Sequence, residues 1–197
     1  MHRPDGLRLT LFYFDIETTG DDPQLDRIVS IQYQQLGDGF EPIGTLQVLA
    51  EWEWGEKHIL QTILDKGLLE PTWDFVPVGN RLRFDVTFVI ERSTKWQLIE
   101  WDAATLKRYW YTKPLLDVQP ILVFMNRGEF RGSSLHRFAD KESGAKVPLL
   151  YRSGRTAEIL AYVTRERDAA LELLRSARDA LAVLGDARAR PPPEGKS

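Results

Sequence analysis

An apolar, aromatic run, Leu11-Phe12-Tyr13-Phe14, leads directly into Asp15-Ile16-Glu17-Thr18-Thr19-Gly20. The run predicts a β-strand, and the strand ends on two carboxylates spaced one residue apart. Side chains alternate faces along a strand, so Asp15 and Glu17 point the same way. Like charges side by side on one strand repel each other. A hard divalent cation such as Mg²⁺ or Mn²⁺ between them relieves that repulsion and favours oxygen ligands. A metal-dependent enzyme whose site begins at this strand end is the first expectation.

The chain has 197 residues, of which 43% are hydrophobic and 28% charged. That suits a single domain with a sizeable core. We assign residues 1–187 to it and read 188–197, with three consecutive prolines, as a disordered tail. No apolar run approaches the ~20 residues of a membrane helix. Met1 to Gly6 lacks the apolar stretch of a signal peptide. The absence of cysteine excludes disulfides, thiolate nucleophiles and cysteine zinc sites. A cytoplasmic protein with no membrane partner is expected. The net charge of −3 argues against a surface coated in basic charge. It leaves room for nucleic acid held by a few local arginines and by bound metals.

Along the chain, strands are predicted over Leu7–Phe14, Arg27–Gln34 and Ile43–Leu49, with turns at Asp21-Asp22-Pro23 and Gly37-Asp38-Gly39. A hairpin meander is the simplest arrangement of the three. Helices are predicted over Gly55–Gly67, Leu82–Glu91 and Asp102–Tyr109. Short strands fall at Phe75–Val78 and Pro114–Asp117, the latter leading into a segment that ends at Met125. Ser133 or Ser134 is placed to cap a short helix ending at Ala139, and a loop runs through Gly144 and Pro148. A long helix runs from Thr156 to Leu184, with Gly185 at its end. Trp52 and Trp54 alternate as strand residues would, on one face. The whole reads as an α/β domain with a mixed sheet.

Two further segments can complete a metal site. In Gly79-Asn80-Arg81-Leu82-Arg83-Phe84-Asp85-Val86-Thr87-Phe88, a glycine loop opens a helix and Asp85 falls about one turn in. Phe84 and Phe88 share a face and pack together, leaving Asp85 on an adjoining one. A first-turn carboxylate that merely favours the helix dipole is the plainer reading of Asp85. In the last helix Tyr162 and Glu166 are four apart and share a face. Asp168, two residues further, is about 200° round the helix from Glu166. Glu166 is preferred, with Asp168 kept as the alternative.

These segments resemble the DEDD superfamily of 3′–5′ exonucleases, which have a ribonuclease H-like fold. Phe14 to Gly20 looks like its first motif; Asn80 to Phe88 is similar to the second, H-N-x-x-F-D-x-x-F; Tyr162-x-x-x-Glu166 is similar to the tyrosine-type third motif, Y-x-x-x-D. Trp52-Glu53-Trp54-Gly55 and Phe75 to Asn80 look most like small stand-alone archaeal members. Asn80 and Arg81 stand where the second motif has His and Asn, and Glu166 where the third has Asp.

The resemblance implies a ribonuclease H-like sheet, an antiparallel meander joined to parallel strands and flanked by helices. It implies two Mg²⁺ or Mn²⁺ ions, ~4 Å apart, held by Asp15, Glu17, Asp85 and Glu166. Phosphodiester hydrolysis at the 3′ end of single-stranded DNA follows, with RNA as a second substrate and DNA repair as a setting. Tyr162 would orient the attacking water. Thr18, Thr19 and Asn80 would lie beside the terminal nucleotide. Self-association to enclose a strand is implied as well. The Glu166 and Arg81 departures support an alternative: a weakened or inactive nucleic-acid-binding member of the same fold. His136 lies well before the third motif and is not assigned a role.

Overall fold

The computed structural model describes residues 10–69, 75–139 and 143–188, with side chains through residue 183. Leu7 to Leu9 of the first predicted strand and residues 189–197 of the tail lie outside the described residues. Five strands form one sheet in the order β3-β2-β1-β4-β5. β1 (Thr10–Thr18) pairs antiparallel with β2 (Ile28–Leu36), and β2 antiparallel with β3 (Gln47–Ala50). β4 (Phe75–Gly79) is parallel to β1, and β5 (Leu116–Asp117) is parallel to β4. The expected meander and the parallel half are both present.

β1 is an inner strand and is buried on both faces. Phe14 and Ile16 enter an apolar cluster under α2 (Glu56–Asp65), α3 (Leu82–Lys95) and α4 (Ala103–Tyr111). Tyr13 enters a second cluster, under α5 (Val118–Met125) and α8 (Thr156–Arg188). Asp15 and Glu17 continue the row of Tyr13 and so face the α8 side. α8 lays Ile159 and Val163 against Val29, Val147 and Leu150, and Ala170 and Leu174 against the Tyr13 cluster. Glu166 falls between these two apolar patches on the same stripe, where the helical period would place a core residue.

The sequence expectations shift in places. The third strand starts at Gln47, not Ile43; Pro42, which has no N–H to give, makes only an isolated bridge with Leu36. Trp52 and Trp54 do not alternate on a strand, because Glu51–Trp54 forms a helical turn, α1, ahead of α2. The α6 turn (Leu135–Phe138) follows Ser134, whose side chain makes no capping bond; Ser133 Oγ instead donates to the Glu129 carbonyl, 2.5 Å. The segment read as a loop contains a 3₁₀ turn (Gly144–Lys146) and α7 (Val147–Arg152), with Pro148 in the first turn, where its missing N–H costs nothing. α8 continues past Gly185 to Arg188.

Candidate active site

Strand register sets the first two carboxylates. Asp15 lies opposite Gln32 and Glu17 near Ser30, both of them buried. With its amide oxygen accepting from Ser30 Oγ (2.6 Å), Gln32 donates to the Asp15 carbonyl (2.8 Å) and Asp15 Oδ2 (3.3 Å). A buried amide thus fixes one acid of the pair.

The third carboxylate depends on how α3 begins. Arg81, its N-cap, is left-handed at φ 61° and offers no side-chain cap. Asp117, at the end of β5, supplies the cap from across the sheet. Its Oδ1 accepts from Arg81 N (2.9 Å) and its Oδ2 from Leu82 N (3.0 Å). Oδ1 also accepts from Gln119 N (2.9 Å), so one carboxylate ties down the starts of both α3 and α5. Phe84 and Phe88 pack at 5.4 Å between ring centroids, as their spacing predicts. Asp85 turns inward, is 3% exposed, and its Oδ2 has no hydrogen-bond partner among the described residues. Burial, then the charges of Asp15, Asp117, Glu166 and Glu17, push its carboxyl well above the usual carboxylate range.

The fourth comes from α8. Tyr162 and Glu166 are both buried, and the Tyr162 hydroxyl donates to Glu166 Oε2. Burial and the neighbouring charges of Glu17 and Glu166 raise the Tyr162 pKa far above that of a free phenol. Asp168 faces away: it is exposed and pairs with Arg167 at 2.7 Å.

Asp15, Glu17 and Glu166 each bring a carboxylate oxygen to within 4.8 Å of the other two. Asp85 lines the same cavity, of about 430 Å³, together with Tyr162, Thr18 and Asn80. All four acids are under 10% exposed. Such crowding favours protonation or a bound cation. An all-oxygen donor set with an unpartnered buried Asp85 oxygen fits a hard divalent ion.

The substrate-side candidates divide. Thr18 and Asn80 stand on the cavity wall, and Asn80 Oδ1 is buried without a hydrogen-bond partner among the described residues. Thr19 is not on that wall; its hydroxyl donates to Asp26 Oδ1 (3.1 Å) and accepts from Arg27 N (3.1 Å), bracing the loop behind. His136 is exposed and lines the cavity from α6, brought there by chain folding that its distance from the motifs does not reveal. Gly144 closes the far side. A Cβ on it would stand 2.9 Å from Tyr162 Oη, so the 3₁₀ turn can approach the hydroxyl only with glycine there. Asp117, Gln32 and Gly144 carry no motif signal. The one cue for Asp117 is its place just ahead of a helix, where Asp is a favoured cap.

No protein-family model matches the chain, and no curated protein matches it. Solved structures do. E. coli exonuclease I in complex with a dT13 oligonucleotide superposes with a TM-score of 0.56 at 14% identity, covering 91% of this chain and 43% of that one. The zinc-bound form of the E. coli enzyme with single-stranded DNA gives 0.57 at 13%, covering 91% and 42%. The moderately thermophilic exonuclease I of Methylocaldum szegediense gives 0.52 at 16%, covering 87% and 41%. The chain therefore spans less than half the length of these enzymes. At such identities the likeness is one of fold: the mixed sheet with its flanking helices is ribonuclease H-like. Among the described residues, no helix is long and apolar enough to cross a membrane.

Proposed function

We propose that the protein is a metal-dependent 3′–5′ exonuclease of the tyrosine type, hydrolysing phosphodiester bonds at the 3′ ends of single-stranded DNA. One observation carries this reading. Three buried carboxylates from β1 and α8 converge, and the cavity they share with Asp85 lies in a fold like that of exonuclease I.

Asp15, Glu17, Asp85 and Glu166 would hold two ions, Mg²⁺ or Mn²⁺. When bound, these would acidify the attacking water and offset charge on the scissile phosphate and the leaving 3′-oxygen. Glu166 is one methylene longer than the aspartate of the resembling motif, and its position on the apolar stripe directs its head group to Asp15 and Glu17. The Tyr162 hydroxyl donates to Glu166 Oε2 beside the carboxylates, so it would act as a hydrogen-bonding group that orients water. Thr18 and Asn80 line the space for the terminal nucleotide, and Thr19 holds the loop behind them. Single strands fit because a paired end must fray before its last phosphodiester reaches buried carboxylates.

The test is degradation of a 5′-labelled single-stranded oligonucleotide with Mg²⁺ or Mn²⁺. A ladder shortening from the 3′ end is expected. Asp15→Ala and Glu166→Gln each abolish it, and Asp168→Asn leaves the rate within about twofold. Internal fragments would make the protein an endonuclease. Absence of release, with Asp15→Ala indistinguishable from wild type, would leave the non-catalytic binding member as the reading.

A further inference from the structure

A second groove, of about 510 Å³, opens beside the carboxylate cavity and shares Arg81, Phe84 and Gln119 with it. Its other walls bring together Arg83, Lys113, Tyr111 and Phe130. We propose that this groove is the track of the unpaired strand entering the cavity, with phosphates against Arg81, Arg83 and Lys113 and bases on Tyr111 and Phe130. The proposal rests on the exonuclease reading and names where its substrate lies.

Charge is the first argument. The cavity concentrates five carboxylates, Asp21 among them, and the whole chain carries −3, so a polyanion gains little from the surface at large. The groove reverses the sign next to the cavity: three cations line it against one acid, Asp117. The Asp117 oxygens already accept from the N–H groups of Arg81, Leu82 and Gln119, which engages its charge locally.

Aromatic surface is the second. Phe130 is 71% exposed and Tyr111 42%, large ring areas left in water next to cations. Groups of this kind bind single strands, since every base has a π-face and only unpaired bases can offer it. Tyr111 is held in place: its hydroxyl hydrogen-bonds Thr87 Oγ1 (2.7 Å), and Arg83 lies 5.7 Å from its ring centroid.

Continuity is the third. Arg81 belongs to both spaces, is fixed at the α3 start through its backbone, and places its guanidinium 5.1 Å from the Phe84 ring centroid. A strand whose terminal phosphodiester lies at the carboxylates meets this arginine on leaving the cavity. The cleft on the far side of the Gly20–Arg27 loop, near Trp54 and His58, shares no wall with the cavity. Its arginines are paired, Arg27 with Glu51 and Arg92 with Glu56.

The experiment measures fluorescence anisotropy of a 5′-fluorescein dT16 strand on the full chain, with Ca²⁺ at the carboxylates, over a range of salt concentrations. Arg83→Ala/Lys113→Ala is expected to weaken binding about tenfold or more. It should also flatten the plot of log affinity against log salt by about 0.7 for each phosphate that the variant no longer neutralises. Phe130→Ala is expected to weaken binding about tenfold with the salt slope unchanged, which separates stacking from charge. Melting temperatures close to wild type show that the variants are folded. Unaltered binding and salt slope in the double variant would overturn the groove, as would a wild-type chain that does not bind dT16. Release of nucleotides with no effect of the groove variants sinks the groove and leaves the exonuclease reading standing. Strand binding that depends on the groove, without any nucleotide release, does the reverse.

Discussion

Asp85 shows how one residue can be misplaced for stability and well placed for chemistry. Its Oδ2 is buried with no hydrogen-bond partner among the described residues, and its carboxyl is driven above the usual range by burial and by three nearby acids and Asp117. A buried polar group left unmatched costs about 1–3 kcal/mol, more if charged. Asp85→Asn removes the charge, and its amide can donate to the surrounding carboxylates. The metal-free variant is expected to be more stable than wild type by about 1–2 kcal/mol. Thermal unfolding in EDTA measures this, and nuclease activity should fall by at least about a hundredfold in the same protein. A variant that melts lower than wild type in EDTA would mean that the carboxylate is satisfied and structural. The sequence made Asp15, Glu17 and Asp85 visible because each sits at a fixed phase of a strand or helix. Gln32 and Asp117 stayed hidden, because what they touch depends on β1–β2 register and on where β5 ends.

Elements are held around the site by a second buried polar group, which no motif announced. Glu56, in the first turn of α2, accepts from Ile28 N at the start of β2 (2.8 Å) and from Trp96 Nε1 beyond α3 (2.9 Å). It also takes a two-pronged pair of bonds from Arg92 of α3, at 2.8 and 2.5 Å. Burial by itself raises the Glu56 pKa, but the bonds from Arg92, Ile28 and Trp96 outweigh it and hold the carboxyl below its ordinary value. The folded state therefore binds this proton less readily than the unfolded chain. The resulting stability is complete above the ordinary carboxylate pKa and is lost as pH falls through the lower folded value. Glu56→Ala should cost about 3–5 kcal/mol at neutral pH, since it strands a buried guanidinium. The difference between variant and wild type should shrink as pH is lowered; a difference flat from neutral pH to about pH 3 would rule out the ion pair as its source. Element type was readable from period: the meander, the buried β4 and the long last helix all follow from hydrophobic spacing. The α7 turn and the late start of β3 were not, because Pro42 and Pro148 act through pairing and packing that short windows do not contain.

At the scale of the molecule, the candidate site joins distant parts of the chain that apolar packing of α3 and α8 on the sheet brings together. Asp15 and Glu17 come from an inner strand, Asp85 from the helix after β4, and Glu166 from the last helix, about 150 residues beyond the first pair. Without a cation their charges repel across the contact of α8 with the sheet, so the cost falls on the whole fold and not on one loop. A divalent ion that binds only the folded arrangement stabilises it by RT ln(1 + [L]/Kd), about 2.7 kcal/mol at a hundred times Kd. For a domain of this size that corresponds to a rise of about 5–10 °C in melting temperature. Mn²⁺ or Mg²⁺ should produce such a rise in the wild-type protein, EDTA should reverse it, and Asp15→Asn should reduce it to a degree or so. Asp168→Asn should keep it in full, because that side chain faces solvent on α8. The readout needs no substrate, so it tests the carboxylate cluster as a metal centre even if the strand is never cut. A melting temperature indifferent to both ions would show that protonation, and not a cation, resolves the charge buried there.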